Sequence, residues 1–354
     1  MKLLTQPGDG IAALLAGIKG AKKTIDIAIF RFDRAEIEAA LKAAVGRGVS
    51  VNALIAYTNR GGELNLRKLE MRLLEVGVTV SRTAGDLLRY HDKMMIVDRS
   101  LLFVLSFNFT HLDIDHSRGF GVITRNARLV KEAVSLFQAD TARTPYIATL
   151  DTFVVSPINA RKVLGAFIAK ARKELLIYDP MISDPEMLRA LNKRAKAGVV
   201  IKVIGSIGVK NSTLDVKGLA DMRLHSRTII RDRREAFLGS QSLRQPELDL
   251  RREVGVVVRH AAAVSSLAKT FDADWLREPT TIEAKPRALK KAGKNLMKEL
   301  SPLSPIVKEA IQDAMDSGSV GLNARELKET VTDAVKEAVR ERVKELVKDA
   351  VEQG

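Results

Sequence analysis

Two stretches of the sequence repeat the same spacing of histidine, cation, acid and small polar residues. The first, YHDKMMIVDRSLLFVLSFNFT, contains His91, Lys93, Asp98, Ser106 and Asn108, and the second, LHSRTIIRDRREAFLGSQSLR, contains His225, Arg227, Asp232, Ser240 and Ser242. Side chains alternate along a strand, so each histidine shares a strand face with the cation two residues later. If the two stretches meet about a pseudo-twofold axis, two imidazoles, two cations and four small polar groups converge on one site.

Such a set of groups suits a phosphodiester substrate. Cations and hydroxyl or amide donors can hold the non-bridging oxygens and stabilise the charge of the transition state. One neutral imidazole can attack phosphorus while the other donates a proton to the leaving oxygen. A single histidine on a strand would favour an ordinary core residue, but the matched pair favours function. Asp98 and Asp232 are instead predicted to be structural, capping turns or pairing with Arg99 and Arg233.

The repeat extends well beyond these two stretches. A shift of 150 residues aligns Pro7 with Pro157 and Gly48 with Gly198, and a shift of 134 aligns His91 with His225. The difference leaves 16 extra residues in the first copy, where ELNLRKLEMRLLEVGV predicts an additional helix. Amphipathic helices alternate with short β-branched runs in each copy, which predicts an α/β fold.

We therefore predict three parts: repeat 1 at 1–145, repeat 2 at 146–280 and a helical C-terminal extension at 281–354. In the extension, valine recurs every fourth residue from Val331 to Val351, which predicts a long helix. This helix is expected to pack on its own body or to mediate self-association. The N-terminal apolar segment resembles a weak signal peptide, but its counterpart at 157–168 lies well inside the chain. We interpret it as the first helix of a repeat and expect a cytoplasmic protein.

At these residues the sequence resembles the phospholipase D superfamily, marked by H-x-K-x4-D followed by G-S-x-N or G-S-x-S. The resemblance covers about residues 7–277. It implies two α/β/α sandwich repeats packed about a pseudo-twofold axis, and catalysis through a covalent phosphohistidine without a metal ion or cofactor. The catalytic set it implies is His91, His225, Lys93, Arg227 and Glu253, with His91 as the preferred nucleophile and Glu253 orienting an imidazole. The phosphate-binding set it implies, besides the two cations, is Ser106, Asn108, Ser240 and Ser242.

Three positions depart from the family pattern. Arg227 replaces the usual lysine, and Leu105 replaces the glycine before Ser106. Gly119 stands opposite Glu253, so the first copy lacks that carboxylate unless Asp113 or Asp115 substitutes for it. Because of these departures, we also consider the hypothesis that the chain is a catalytically impaired binding or scaffold protein.

The amino-acid composition limits the classes of chemistry and of binding partner, but it does not identify a single partner. The chain has no cysteine, which excludes disulfides, cysteine-ligated metals and thiol catalysis. The net charge is +15, and residues 1–282 hold 44 basic and 30 acidic residues, which favours an anionic partner. The first hypothesis is cleavage or transfer of phosphatidyl groups, with contact to an anionic membrane at the inner face. The alternative is a nuclease that uses the same site on DNA or RNA.

Overall fold

The structure, a computed structural model, describes residues 1–56, 63–209 and 214–278. The extension predicted at 281–354 lies outside the described residues. The elements of the first repeat are β1 (Lys2–Gln6), α1 (Ala12–Gly20), β2 (Thr24–Ala28), α2 (Ala35–Gly46), β3 (Ser50–Ile55), α3 (Glu63–Glu75), β4 (Thr79–Arg82), β5 (Arg89–Tyr90), β6 (Met94–Val97), β7 (Leu101–Leu105), α4 (His111–Asp115), β8 (Ser117–Thr124) and α5 (Ala127–Ala142). Helix α3 confirms the additional helix predicted from the unmatched residues of the first copy.

The second repeat follows the same order of elements. They are β9 (Phe153–Ser156), α6 (Ala160–Ala169), β10 (Glu174–Ile182), α7 (Pro185–Lys196), β11 (Val200–Ile207), β12 (Asp215–Lys217), β13 (Arg223–Leu224), β14 (Arg227–Arg231), β15 (Glu235–Gly239), a π-helical turn (Pro246–Leu250), β16 (Arg251–Val258) and α8 (Ala261–Leu276). Strands β1 and β9, which open the repeats, were missed by the sequence analysis, which assigned the N-terminal segment to a helix alone. Each is short and is followed closely by its helix, so neither shows a separate period-2 pattern.

Each repeat forms one mixed sheet. The first has the strand order β1-β8-β7-β6-β2-β3-β4, and the second has the order β12-β11-β10-β14-β15-β16 with β9 also paired to β16. Alternate residues of a strand face opposite layers. In β6, Met94 and Ile96 belong to the core between the sheets, whereas Met95 and Val97 belong to the core beneath α1 and α2. The predicted α/β class with two sandwich repeats is confirmed.

Helices cover both outer faces and also lie between the sheets. Apolar residues of α1, α2 and α3 pack on the first sheet, and those of α6 and α7 pack on the second. Helices α5 and α8 contribute to a third core that includes residues of both sheets, among them Leu136 and Phe271. This shared core joins the repeats, so burial of apolar surface stabilises their association directly. No helix among the described residues is long and apolar enough to cross a membrane.

Each repeat also lends a two-residue strand to the sheet of the other. Strand β5 of the first repeat pairs with β16 through Arg89 and Arg251, and β13 of the second repeat pairs with β8 through Arg223 and Ser117. Both short strands come immediately before the histidines predicted to be catalytic. The exchange therefore carries each histidine to the seam between the repeats.

Candidate active site

The two histidines are held in place by the backbone of the opposite repeat. The His91 amide donates to the Arg252 carbonyl at 2.8 Å, and the His225 amide donates to the Arg118 carbonyl at 3.0 Å. Arg118 and Arg252 occupy equivalent positions, 134 residues apart. The predicted pseudo-twofold relationship is thus observed at the atoms that position both imidazoles.

His91 contacts a buried carboxylate from the other repeat. Its Nδ1 lies 3.0 Å from each carboxylate oxygen of Glu253, which is fully buried on β16. The ring also packs edge-on against Phe30, with the centroids 4.8 Å apart. An ionised Glu253 carboxylate can only accept hydrogen bonds, so its contact with His91 requires the tautomer that carries the proton on Nδ1. In this tautomer the lone pair of the ring is on Nε2. A neutral His91 held in this way has its nucleophilic nitrogen available for reaction.

His225 has a different carboxylate partner, which comes from the first repeat. Its Nε2 lies 3.2 Å from Asp113 Oδ2, an ion-pair contact without hydrogen-bond geometry. Asp113 also receives the Arg223 guanidinium at 2.6 Å and two hydrogen bonds from Asn108, one from the backbone amide and one from Nδ2. Asp113 therefore takes the place that the sequence analysis left open between Asp113 and Asp115. Asp115 instead pairs with Arg34, at the outer end of α4.

The paired cations occupy matching positions beside the histidines. Lys93 Nζ donates to the carbonyl of His91, and Arg227 Nη1 donates to the carbonyl of His225 at 3.0 Å. Burial is the largest cause of the lowered pKa of both histidines, and the charges of Lys93 and Arg227 each lower both pKa values further. All four groups therefore act within one electrostatic environment. The replacement of lysine by Arg227 keeps the cation and its contact with the histidine carbonyl.

Burial dominates the ionisation of these groups. It lowers the pKa of both His91 and His225 well below the usual value, which favours neutral imidazoles in the unliganded site. It also lowers the pKa of Lys93 to about 7 and raises that of Glu253 to about 8. Burial opposes ionisation of Asp113 too, but the charges of His225 and Arg223 outweigh it and lower the pKa of this carboxyl. The site thus combines groups that exchange protons near neutral pH with one fixed anion.

The small polar residues predicted to bind phosphate follow two equivalent strands, β7 in the first repeat and β15 in the second. The hydroxyls of Ser106 and Ser240 are fully buried and accept backbone N–H groups of the neighbouring strand, from Phe120 at 2.9 Å and Val254 at 3.1 Å. Ser242 accepts a bond from Arg227 Nε at 3.3 Å. Ser240 Oγ also donates to the Val254 carbonyl at 3.4 Å. The phosphate-binding role of these residues stays a prediction.

Asp98 and Asp232 lie away from the histidines, at the opposite ends of β6 and β14. The Asp98 carboxylate accepts the amides of Lys22, Lys23 and Thr24 at 2.6–3.1 Å. The Asp232 carboxylate accepts the equivalent three amides of residues 172–174 at 2.7–3.2 Å. These contacts agree with the capping option considered for the two acids.

Packing explains the departures at Leu105 and Gly119. Leu105 is fully buried, and a Cβ on Gly121 would lie 2.6 Å from its Cδ2, so the absence of a side chain at 121 makes room for it. A Cβ on Gly119 would lie 3.1 Å from the Phe107 ring. Phe107 therefore occupies the space that a carboxylate equivalent to Glu253 would need, and Asp113 approaches His225 from α4 instead.

Two residues of the site were missed by the sequence analysis. Phe30 supports the His91 ring from the end of the β2 segment. Asp179, in β10, accepts the amides of Leu243 and Met181 at 2.7 and 3.0 Å, and burial raises its pKa to about 7 although the charge of Arg227 opposes the change. An acid within the apolar run LLIYD was an available signal for Asp179, but nothing in the sequence marked Phe30.

A family model matches the first repeat. Residues 14–141 match the family model described as cardiolipin synthase, PLD-like domain. No curated protein sequence matches the chain significantly. The family match places a PLD-like domain within the first repeat.

Solved structures share the fold over most of the chain. Polyphosphate kinase from Porphyromonas gingivalis aligns with a TM-score of 0.65 and 19% identity, over 80% of this chain and 53% of the kinase chain. This chain thus corresponds to about half of that kinase. Phosphatidylserine synthase from Haemophilus influenzae Rd KW20 aligns with a TM-score of 0.58 and 11% identity, over 85% and 93% of the two chains. Nuc from Salmonella typhimurium, a phospholipase D family member, aligns over 39% of this chain and 91% of its own, with a TM-score of 0.35 and 25% identity.

Proposed function

We propose that this protein is a metal-independent phosphodiesterase that cleaves or transfers phosphatidyl groups through a phosphohistidine intermediate. The observation that supports the proposal best is the pairing of each histidine with a carboxylate from the opposite repeat, Glu253 for His91 and Asp113 for His225. A pair of oriented imidazoles beside two buried cations is the set of groups that two-step transfer at phosphorus requires.

The asymmetry of the pairs favours His91 as the nucleophile. Its Nδ1 faces Glu253, so Nε2 would attack phosphorus and form the N–P bond as the P–O bond to the leaving group breaks. His225 would give its proton to the leaving oxygen. Burial lowers the pKa of His225, and the Asp113 charge opposes this effect and so supports the protonated form that the step needs. His225 would then take a proton from water or an alcohol, whose oxygen displaces His91 from phosphorus. Lys93 and Arg227 would hold the non-bridging oxygens during both steps.

A phosphatidyl substrate is proposed because the family model that matches residues 14–141 describes cardiolipin synthase. The similarity to phosphatidylserine synthase, which concerns the fold, is compatible with the same choice. Such a substrate requires the protein to reach a membrane, and the basic residues of 1–282 would favour an anionic surface. A cytoplasmic protein bound peripherally to the inner membrane face is part of this proposal.

Nucleic acid is the alternative substrate, and one feature near His91 favours it. The guanidinium groups of Arg31 and Arg89 lie 5.7 and 5.3 Å from the centroid of the Phe30 ring, which itself contacts His91. Two cations beside a site for one phosphate would suit a chain of phosphates. A scaffold protein with an impaired site remains the third hypothesis.

The test separates the reaction from the substrate. Hydrolysis of bis(p-nitrophenyl) phosphate in EDTA measures metal-independent phosphodiesterase chemistry, and phosphatidic acid release from mixed phospholipid vesicles measures the lipid activity. His91→Ala is expected to reduce both by about a thousandfold. His116→Ala is the matched control, because His116 is exposed at the end of α4.

Each result has a distinct meaning. Activity that is unchanged in His91→Ala would overturn the site assignment. Hydrolysis of the small diester without phosphatidic acid release would exclude the lipid substrate, and cleavage of single-stranded DNA in EDTA would then support the nuclease. Inactivity on all three substrates would leave the scaffold hypothesis.

A further inference from the structure

A second concave site lies in the second repeat, on the outer face of its sheet. It is a cavity of about 110 Å³ between α6 and the ends of β14, β15 and β16. We call it the α6 cavity. Its charged lining is Asp151, Lys162, Lys170, Arg231, Glu235 and Arg259. Four cations and two acids give this lining a positive balance.

One part of this charge is fixed by ion pairs. Glu235 lies between two arginines, with Arg231 Nη2 at 2.6 Å and Arg259 Nε at 3.2 Å. The Arg231 guanidinium also lies over the Phe167 ring at 4.2 Å and donates to the Phe167 carbonyl at 2.9 Å. A guanidinium held on three sides is already oriented, so a ligand does not need to order it.

The other part of the charge is free to meet a ligand. Lys162 on α6 and Lys170 at its C-terminal end are both exposed, separated by about 80° around the helix and about 12 Å along it. Neither has an ion-pair or hydrogen-bond partner within the three described segments of the chain. Val163, Ala166 and Val257 give the cavity an apolar lining between these charges. An anion entering here would meet two flexible ammonium groups beside an ordered arginine pair.

The first repeat provides an internal comparison, because it has the same fold without this charge. The positions that correspond to Lys162, Lys170 and Arg231 are Ala12, Gly20 and Val97. Three of the four cations of the cavity are thus replaced in the first repeat, and the fourth, Arg259, corresponds to Arg125. The charge of Lys162, Lys170 and Arg231 is therefore a property of the second repeat and not a consequence of the fold.

The cavity is separate from the histidine site. Arg227 and Arg231 stand at the two ends of β14, so four residues of strand, about 13 Å, separate the site cation from the cavity cation. A single phosphodiester at the histidines cannot reach this distance. The cavity and the histidine site can therefore be occupied independently.

We propose that the α6 cavity is an accessory site for a phosphate-bearing anion, supplied either as a free phosphate monoester or as the headgroup of an anionic phospholipid. The excess of two positive charges matches the dianion of a phosphate monoester near neutral pH. Charge-assisted hydrogen bonds from Lys162 and Lys170 would complete its coordination beside the ordered Arg231. Occupation does not depend on the activity proposed for the histidine site.

The test follows methyl resonances of the full-length protein during titration with inorganic phosphate. Val163 and Val257 line the cavity, and Ile123 is the position of the first repeat that corresponds to Val257. We expect saturable shifts of the two valine methyls and a separate, smaller response at Ile123. The double substitution Lys162→Ala/Lys170→Ala is expected to weaken binding about tenfold or more at the valine reporters, because two charge-assisted contacts are lost.

Controls distinguish a built site from a general charge effect. Lys42→Ala/Lys131→Ala removes two exposed lysines of the first repeat and should leave the binding curve unchanged. Lys162→Arg/Lys170→Arg should restore binding. Equal shifts at Val257 and Ile123, or equal affinity in wild type and Lys162→Ala/Lys170→Ala, would overturn the proposal.

Flotation with vesicles then identifies the source of the phosphate. If Lys162→Ala/Lys170→Ala reduces binding to vesicles containing phosphatidic acid more than Lys42→Ala/Lys131→Ala does, the ligand is a lipid headgroup. If the two variants float equally while the phosphate titration still separates them, the ligand is a free phosphate monoester.

Discussion

Arg118 of the first repeat and Asp274 of the second form a buried bidentate ion pair, with nitrogen–oxygen distances of 2.7 and 2.9 Å. The equivalent residues form the reciprocal pair, in which Arg252 of the second repeat donates to Asp140 of the first at 2.9 Å. Each arginine also donates to a backbone carbonyl of its own repeat, Arg118 to Gln6 at 2.8 Å and Arg252 to Ser156 at 3.0 Å. The ion pairs thus join the repeats next to the backbone that carries the histidines.

Removing one member of this pair should be costly. Arg118→Ala leaves the Asp274 carboxylate buried without its partner, and we expect a loss of about 3–5 kcal/mol in the free energy of unfolding, measured with urea. Arg233→Ala is the control, because its pair with Asp272 is nearly half exposed and should contribute at most about 1 kcal/mol. Equal losses in the two variants would show that the buried pair does not join the repeats.

The Glu253 carboxyl should control the pH dependence of catalysis. Burial raises its pKa to about 8, and only the ionised form accepts Nδ1–H of His91, so its ionisation should contribute a rise in kcat/KM near pH 8. Loss of the Lys93 charge, whose pKa burial lowers to about 7, should contribute an opposing fall. Glu253→Gln should lower kcat/KM by about a hundredfold and remove this rise. Glu235→Gln, in the α6 cavity, should keep the wild-type profile. A rise near pH 8 that persists in Glu253→Gln would assign it to another group.

The same carboxyl should lower stability at alkaline pH. Because the pKa of Glu253 is raised in the folded state, its contribution to the free energy of unfolding is fully present below about pH 4.5 and is lost as pH rises through about 8. Glu253→Gln removes this loss, so the variant should gain on the order of 3 kcal/mol over the wild type between pH 5 and pH 9. The measurement is urea unfolding at both pH values. If the difference in the free energy of unfolding between the two proteins is the same at both pH values, folding does not raise the pKa of Glu253.

Asp98 and Asp232 should support folding and not catalysis. Asp98→Asn and Asp232→Asn each replace a carboxylate that accepts three backbone amides, and each should cost about 1–2 kcal/mol of stability. Both positions have positive φ, 51° and 52°, which asparagine tolerates, so the substitution isolates the charge. The backbone bonds lower the pKa of both groups despite partial burial, so their support is lost only as pH falls through these lowered values. The kcat of folded protein should change less than about twofold; a larger loss would connect the acids with substrate.

Replacing Leu105 by the glycine typical of the motif should not increase the proposed activity. Leu105→Gly empties a fully buried site that Gly121 leaves open for the leucine side chain, and it should cost about 3–5 kcal/mol in urea unfolding. Gly239→Ala, at the equivalent position, should also destabilise, because its Cβ would lie 2.6 Å from Gln241 Oε1 and from the Gly255 Cα. Higher activity in Leu105→Gly would show that the leucine disturbs the site.

The sequence was informative wherever the repeat compared two residues at equivalent positions. The match of His91 with His225 and of Lys93 with Arg227 predicted which side chains meet, and the α/β order of elements followed from the alternation of periodicities. The pairing of the repeats was less accessible. Asp113 and Glu253 each contact a histidine, but they do not occupy equivalent positions in the two repeats. Comparison of the sequence with the family pattern therefore predicted Glu253, whereas for the other carboxylate it left Asp113 and Asp115 as candidates. Phe30 and the exchanged strands β5 and β13 depend on contacts between repeats, which no local pattern encodes.

The exchange of β5 and β13 gives the molecule a built-in check on its own assembly. Each histidine is fixed by the backbone of the half to which it does not belong, through bonds of 2.8 and 3.0 Å. A half-molecule that folded alone would lack the strand partner of its own histidine and the carboxylate beside it. The proposed activity would therefore require both halves to be folded and associated. Two halves produced separately would be inactive until they bind each other.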